Sequence, residues 1–414
     1  VTTGRSTGPE GAGIEGAGTE GAGTQDQVNA ASDPLGADGA NAVGRDGPID
    51  VRSQTTATVG TRGGRRGSGE GGRGRRRGGG RRGGDRSMVP EAEFTSYYGR
   101  PIVKPSPWEA DIPAYLFAGG LAAGSSILAA GADLTGRPAM RRSGRFVSMG
   151  ALGFSMVALV HDLGTPSRFY NMLRVAKPTS PMSMGTWILS AYGAFAGAAT
   201  AAEVGRMVPR RWVPRLLHRP LDLLPYADRP AGVLAAVVAP AVASYTAVLL
   251  SDTATPSWHS AYRELPFVFV GSAAAASSGM AMVTAPVAEA GPARRLAVAG
   301  AAFELVMEHR MEQTMGITAE PLHEGKAGRL MRASKALTVA GAAGTLLAGA
   351  RRSRALSVLS GAALMVGSAC TRFGVFEAGQ ASAMDPKYTV VPQRERLERE
   401  GPVRHPGSTT PPVS

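Results

Sequence analysis

The sequence predicts an all-α integral membrane protein, with eight transmembrane helices in a bundle between disordered N- and C-terminal tails. Two observations carry that expectation. First, apolar residues are concentrated in one part of the 414-residue chain, from about 112 to 375, in stretches separated by Arg-rich or Pro-rich loops. Each stretch is close to the roughly 20 residues that span a bilayer as a helix. Second, the formal charge of +13 is segregated. Residues 111–375 hold 25 Lys and Arg against 14 Asp and Glu, whereas residues 1–110 hold 15 against 13 and residues 376–414 hold 5 of each. A basic excess lodged in the most apolar part of a chain points to membrane topology, so no nucleic-acid partner is expected.

The tails differ in kind from the middle. Residues 1–87 alternate Gly, Ala, Thr and acids before a run from Arg62 to Arg86 with ten arginines and two acids. Such a segment buries too little apolar surface to repay the entropy of ordering, and it is expected to be disordered. Residues 88–111 then form an extramembrane lead-in, 112–375 the helical domain and 376–414 a second polar tail.

The eight stretches fall at about 112–132, 145–163, 183–205, 231–251, 265–288, 293–314, 333–350 and 354–372. The first follows Trp108-Glu109-Ala110-Asp111 and carries Gly120 and Gly124, small residues that let helices approach where lipid supplies no drive to pack. The second ends in His161-Asp162-Leu163-Gly164. A loop follows whose Pro166, Pro178 and Pro181 prevent a continuous helix. The fourth carries Tyr245 and leaves through Asp252, Trp258 and His259. The fifth lies in a run without charge from Pro266 to Val287. That run, and the absence of a repeat of fixed period, argue against a soluble helical solenoid. The sixth ends with Glu304, Glu308, His309 and Glu312, of which the three carboxylates share a helical face.

An even number of spans puts both tails on one side, here side A. Fifteen of the 25 basic residues in the helical domain then fall on side B: Arg137, Arg141, Arg142, Arg145, Arg206, Arg210, Arg211, Arg215, Arg219, Arg229, Arg294, Arg295, Arg351, Arg352 and Arg354. The positive-inside rule places these loops in the cytoplasm, and both tails on the opposite side of the cell membrane.

Ionisable groups at a membrane boundary mark a pathway or a binding site by default. Here Asp111, Tyr115, His161, Asp162 and Tyr245 converge on side A. Carboxylates that exchange protons, hydroxyl and imidazole hydrogen-bond partners and an apolar wall together suit a quinone head group, whose reduction takes up two protons with two electrons. Glu304 and Glu308 are a candidate proton path, with surface-facing carboxylates as the plain alternative. Trp108 and Trp258 read as interfacial anchors. Cys370, the one cysteine, reads as a small buried side chain. It excludes a disulfide, a Cys-based zinc site or an iron–sulfur cluster held by this chain alone. A haem held by His161 and His309 has no further support in the spacing, and no metal site is expected.

Several runs resemble one family. They are Tyr98-Gly99-Arg100-Pro101, Tyr115-Leu116-Phe117-Ala118-Gly119-Gly120-Leu121, Asp162-Leu163-Gly164-Thr165-Pro166-Ser167-Arg168-Phe169 with Asn171-Met172-Leu173, and Lys177-Pro178-Thr179-Ser180-Pro181-Met182-Ser183. From about 97 to 375 the chain is similar to the NrfD/polysulfide reductase membrane subunits. The resemblance implies an eight-helix subunit without its own haem or iron–sulfur cluster. Such a subunit exchanges electrons between menaquinone and a ferredoxin-like 4Fe-4S subunit, which serves a molybdopterin catalytic subunit. It also implies that Tyr115 and Tyr245 occupy the family's quinone-site positions, with His161 and Asp162 completing the polar wall. Arg168, Arg174 and Lys177 would face acidic patches of the docked partner. Two other classes stay open at this point: a proton- or ion-coupled secondary transporter, and a purely structural anchor.

Overall fold

The computed structural model describes residues 101–163, 165–209, 211, 214 and 218–400. The expected N-terminal tail, 1–87, lies outside the described residues, as do most of the lead-in and the final 14 residues. Among the described residues the secondary structure is entirely helical.

Ten α-helices follow in order: α1 Asp111–Leu134, α2 Pro138–Asp162, α3 Pro181–Met207, α4 His218–Ser251, α5 Pro256–Ser260, α6 Leu265–Thr284, α7 Gly291–Met315, α8 Gly325–Arg351, α9 Arg354–Met384 and α10 Lys387–Glu400. Short 3-10 helices at Pro166–Leu173 and Gly316–Leu322 join α2 to α3 and α7 to α8. The starts follow from the residues present. Proline occupies the first turn of α2, α3, α5, α6 and α7, where its missing N–H costs nothing. Ser180 and Ser353 cap α3 and α9 by accepting from Ser183 N and Leu356 N. The tight link from α1 to α2 turns at Gly136, whose φ of 69° a side chain would strain.

The long helices form two antiparallel groups of four, α1–α4 and α6–α9, with α1 packing on α2, α4 and α6 at the seam between them. Small residues set the closest approaches. A Cβ on Gly124 would overlap Ser277, and one on Gly279 would overlap the carbonyl of Gly361. Large apolar side chains point outward in mid-helix, among them Phe154, Val157, Val237, Val306, Leu346 and Leu359. Serines, threonines and some charges share an interior that is still mostly apolar, and an apolar outer surface over it suits a lipid solvent.

Each predicted stretch is part of a long helix. Five of these, Asp111–Leu134, Pro138–Asp162, Asp222–Ser251, Leu265–Thr284 and Arg354–Met384, are long and apolar enough to cross a membrane. The other three, α3, α7 and α8, have 27, 25 and 27 residues and so the length, but not the composition. α3 is rich in Ala and Gly, α7 carries charged residues along much of its length, and α8 carries them through Lys335 and again at Arg351. The helix ends depart further from expectation. α2 starts seven residues early, taking in Arg141 and Arg142, and α4 begins at His218. α9 continues through Arg372 to Met384, and Lys387–Glu400 is helical, so residues 376–400 are no disordered tail. The common reason is pairing. Apolar windows stop at a charge, whereas a helix continues wherever the charge finds a partner.

Candidate functional site

Four helix ends meet on side A of the first group, and three of them, those of α1, α2 and α4, contribute the expected residues. Asp111 opens α1 and His161 closes α2, and antiparallel packing sets them side by side with Nδ1···Oδ2 at 2.7 Å. The imidazole is 78% exposed and the carboxylate 38%. Asp162, half-buried, takes a hydrogen bond from the backbone of Glu109 just before α1. Tyr115 lies one turn inside α1 on the face of Asp111 and is buried. Its carbonyl accepts from Ser155 Oγ of α2 at 3.3 Å.

Tyr245 reaches the same depth from α4. It lies six residues before Ser251, about 9 Å at 1.5 Å per residue, against about 6 Å for Tyr115 below Asp111. Its ring lies over Gly185, in the second turn of α3, where a Cβ would overlap Cε2. The wall around both tyrosines is apolar, formed by Ile112, Leu116, Leu152, Leu189 and Val242 of α1–α4. The Tyr245 hydroxyl has no hydrogen-bond partner among the described residues, while its ring is half-buried. Thus an exposed His–carboxylate pair stands over a packed apolar cluster that includes Tyr115 and borders Tyr245.

The loop after α2 is a 3-10 turn folded back on α3. Ser183 Oγ and Trp187 Nε1 both donate to Val175 O, and Lys177 N donates to Ser183 Oγ. Arg174 and Lys177 are exposed on it beside Tyr170 and Val175. The side chain of Arg168 lies outside the described residues.

Two expectations, for Trp258 and Cys370, change, and for Glu304 and Glu308 the surface-facing alternative falls. Trp258 is not an interfacial anchor. It is buried to 1%, stacks on Trp108 with centroids 6.0 Å apart, and donates from Nε1 to Val375 O. Its ring fills the notch left by Gly379. Cys370 is half-buried. Glu304 and Glu308 are buried to 1% and do not face the surface. Glu304 accepts from Thr371 Oγ1 at 2.8 Å, and Lys335 Nζ lies 3.6 Å from Glu308 and 2.8 Å from Glu312.

Two groups were missed by sequence reasoning. One is Arg372, buried to 1% between Glu304, Phe269 and α1. It falls on the last residue of a predicted stretch and so resembles a flanking charge. The apolar spacing of Val375, Phe376 and Ala378 beyond it was the available signal. The other is an ion cluster on side B. Buried Arg145 lies 3.0 Å from Glu203 and 2.5 Å from Asp228, with Arg141, Arg142 and Arg206 also on Glu203. Five arginines assigned to loops, Arg229 among them, are therefore helical and paired.

Residues 102–298 match the family model described as polysulphide reductase, NrfD. Its members are membrane subunits of polysulfide reductase-like complexes and generally assemble with oxidoreductase subunits. No curated protein matches the chain.

Proposed function

We propose, for this chain of the polysulphide reductase, NrfD family, that it is the quinone-reactive membrane subunit of a respiratory oxidoreductase. Eight helices span the bilayer, with the Arg-rich side B cytoplasmic. On the opposite side the subunit passes electrons between menaquinone and a ferredoxin-like 4Fe-4S subunit, which serves a molybdopterin catalytic subunit. The observation that carries this reading is the Asp111–His161 pair at 2.7 Å above the apolar cluster in which Tyr115 and Tyr245 pack.

The chemistry follows from the groups. A quinone head group needs donors at its two carbonyl oxygens, an apolar slot for its ring and an exit for protons. The Tyr245 hydroxyl is an unspent donor, and Tyr115 supplies a second at similar depth. Oxidation of the quinol releases two electrons and two protons. His161, held by Asp111 and open to solvent, accepts a proton and returns it to water, while Asp162 adds a second carboxylate to the exit. The electrons need an acceptor outside this chain, and the exposed Arg174 and Lys177, with Arg168 in the same loop, offer an acidic iron–sulfur protein a docking edge.

The test is quinol oxidation by the purified complex carrying Tyr245→Phe, Tyr115→Phe or His161→Ala. Turnover falls by roughly a hundredfold in the His161 variant, the low end of what a positioned proton-transfer group contributes. Unchanged turnover and quinone affinity in all three variants overturns the assignment.

A further inference from the structure

On side B the two groups of helices treat their arginines differently. In the first, Arg141, Arg142, Arg145, Arg206 and Arg229 are paired with the carboxylates of Asp133, Glu203 and Asp228. In the second, Arg294, Arg295, Arg351, Arg352 and Arg354 gather where acids are scarce. Residues 265–303 contain one carboxylate, Glu289, and residues 325–376 contain none. Glu289 is engaged elsewhere, accepting from Met140 N at 2.9 Å near the start of α2.

Packing brings these five arginines to one place. Arg354 opens α9 and donates to the carbonyls of Met282, Val283 and Ala285 around the end of α6. Arg294, near the start of α7, donates to Val287 O at 3.0 Å in the connection that follows α6. It also lies against the last turn of α8, where a Cβ on Gly349 would be 3.4 Å from its Nε. Arg351 ends α8, and Arg352 begins the two-residue link to α9. Arg294 and Arg354 thus spend hydrogen bonds on the protein. Arg295, Arg351 and Arg352 are exposed and have no hydrogen bond or ion pair among the described residues.

Two features make this concentration of charge costly without an anion beside it. Arg294, Arg295 and Arg354 lie near helix N-termini, where the macrodipole is itself positive, and neither first turn holds an acid. Arg352 has a φ of 50°, the left-handed region that glycine enters without strain, and it is the one non-glycine residue there among the described residues. The backbone at 352 suits glycine, yet the position carries a guanidinium.

The surface just inside the arginines is apolar. α6 and α9 are two of the helices long and apolar enough to cross a membrane. Leu346 and Leu347 of α8 and Leu359 of α9 are exposed. Leu346 lies five residues before Arg351 and Leu359 five after Arg354, about 8 Å deeper in each case. A cationic rim above an apolar wall is complementary to a phosphate head group with acyl chains below it. A soluble acidic partner would meet the rim alone.

We propose that this rim binds an anionic phospholipid, with its phosphate held by Arg295, Arg351 and Arg352 and its acyl chains along Leu346, Leu347 and Leu359. All five cations are arginines, whose planar forks take two phosphate oxygens at once and shed water more readily than an ammonium does. The bound lipid neutralises the charge that no carboxylate covers and ties together the side-B ends of α7, α8 and α9. The site lies on the opposite side from Asp111 and His161 and stands independently of the quinone reading.

Lipid retention tests this. The complex is purified in a neutral detergent and mixed with equimolar phosphatidylglycerol and phosphatidylcholine, and native mass spectrometry counts the lipid kept on this chain. Phosphatidylglycerol is expected to be retained in preference. An arginine near an anionic lipid surface is worth about fivefold in affinity, so the triple variant Arg295→Gln, Arg351→Gln, Arg352→Gln is expected to lower retention on the order of a hundredfold. Arg229→Gln, which removes a guanidinium already paired with Asp133, is expected to leave retention unchanged. Arg352→Gly separates binding from folding. It is expected to lower retention about fivefold, while the unfolding midpoint in lipid-free detergent stays level or rises, because glycine relieves the positive φ. Equal retention of the two lipids, undiminished retention in the triple variant, an equal loss in Arg229→Gln, or displacement of the lipid by inorganic phosphate at the same concentration would each overturn the proposal.

Discussion

The ring of Tyr245 occupies the space in which a side chain at position 185 would begin, so α3 and α4 meet there through a tyrosine and a missing methyl. The contact sets the orientation of a hydroxyl that no other described residue binds.

Replacing Gly185 with alanine is therefore expected to move that ring. The Cβ overlaps Cε2, and overpacking of this kind costs about 1–3 kcal/mol. Thermal unfolding of the purified complex should show a lower midpoint, and quinol turnover should fall with it. Tyr245→Phe, which keeps the ring and removes the hydroxyl, should lower turnover and leave the midpoint near wild type.

The Asp111–His161 pair should behave in the opposite way. An exposed imidazole paired to a half-exposed carboxylate contributes little to stability, because water screens it. Asp111→Asn is expected to leave the unfolding midpoint unchanged and to lower quinol turnover. Equal loss of both would mark the pair as structural.

Arg145 is the contrasting case. Its removal takes away the most buried of the four arginines on Glu203 and one of the two on Asp228, so the loss should stay below the about 3–5 kcal/mol of a buried pair broken on one side. Arg145→Met should lower the midpoint of a thermal scan, and Glu203→Gln, which leaves all four arginines without their shared carboxylate, should lower it further. Arg229, 70% exposed at 3.4 Å from Asp133, should be replaceable by glutamine for less than about 1 kcal/mol.

Helix α10 offers a pH-dependent contact. Lys387 Nζ lies 2.5 Å from Glu320, which also accepts from Tyr388 at 3.3 Å. The Glu320 carboxylate holds the Lys387 ammonium above its ordinary value, and burial first, then neighbouring acids, push the Tyr388 phenol up as well. A raised lysine stabilises fully below its unfolded value and loses that contribution as pH rises through the folded one. Docking of α10 should thus weaken only as pH rises above about 10.4, the ordinary lysine value, and by little, because both side chains are at least a third exposed and water screens the pair. Limited proteolysis within 387–400 across that range measures it, and Lys387→Ala should bring early cleavage at neutral pH.

Apolar stretches were enough to find every long helix, because each buries or presents a continuous apolar surface. The ends were hidden wherever a charge was paired in the interior, as at Arg145 and Arg372, since hydropathy counts a guanidinium the same with or without a carboxylate beside it. The polar residues of side A were legible for a related reason. Asp111, Tyr115, His161 and Tyr245 interrupt apolar helices near their ends, and antiparallel topology then brings those ends together. Trp258 was misjudged because its partner is an absence: nothing in the sequence between Asp252 and Leu265 announces that Gly379, more than a hundred residues on, leaves room for an indole.

Helix α9 lies wholly beyond the segment matched by the family model, yet that segment is sewn to it. Trp258 donates to Val375 O, Ser257 N to Ser382 Oγ, Arg372 to Phe269 O and Gln380 to the carbonyls of Ser106 and Trp108. An excised 102–298 fragment would leave each of these groups without its partner. The packed unit accordingly extends to Met384, and the region after 298 is a closing piece without which the matched segment has no finished interior.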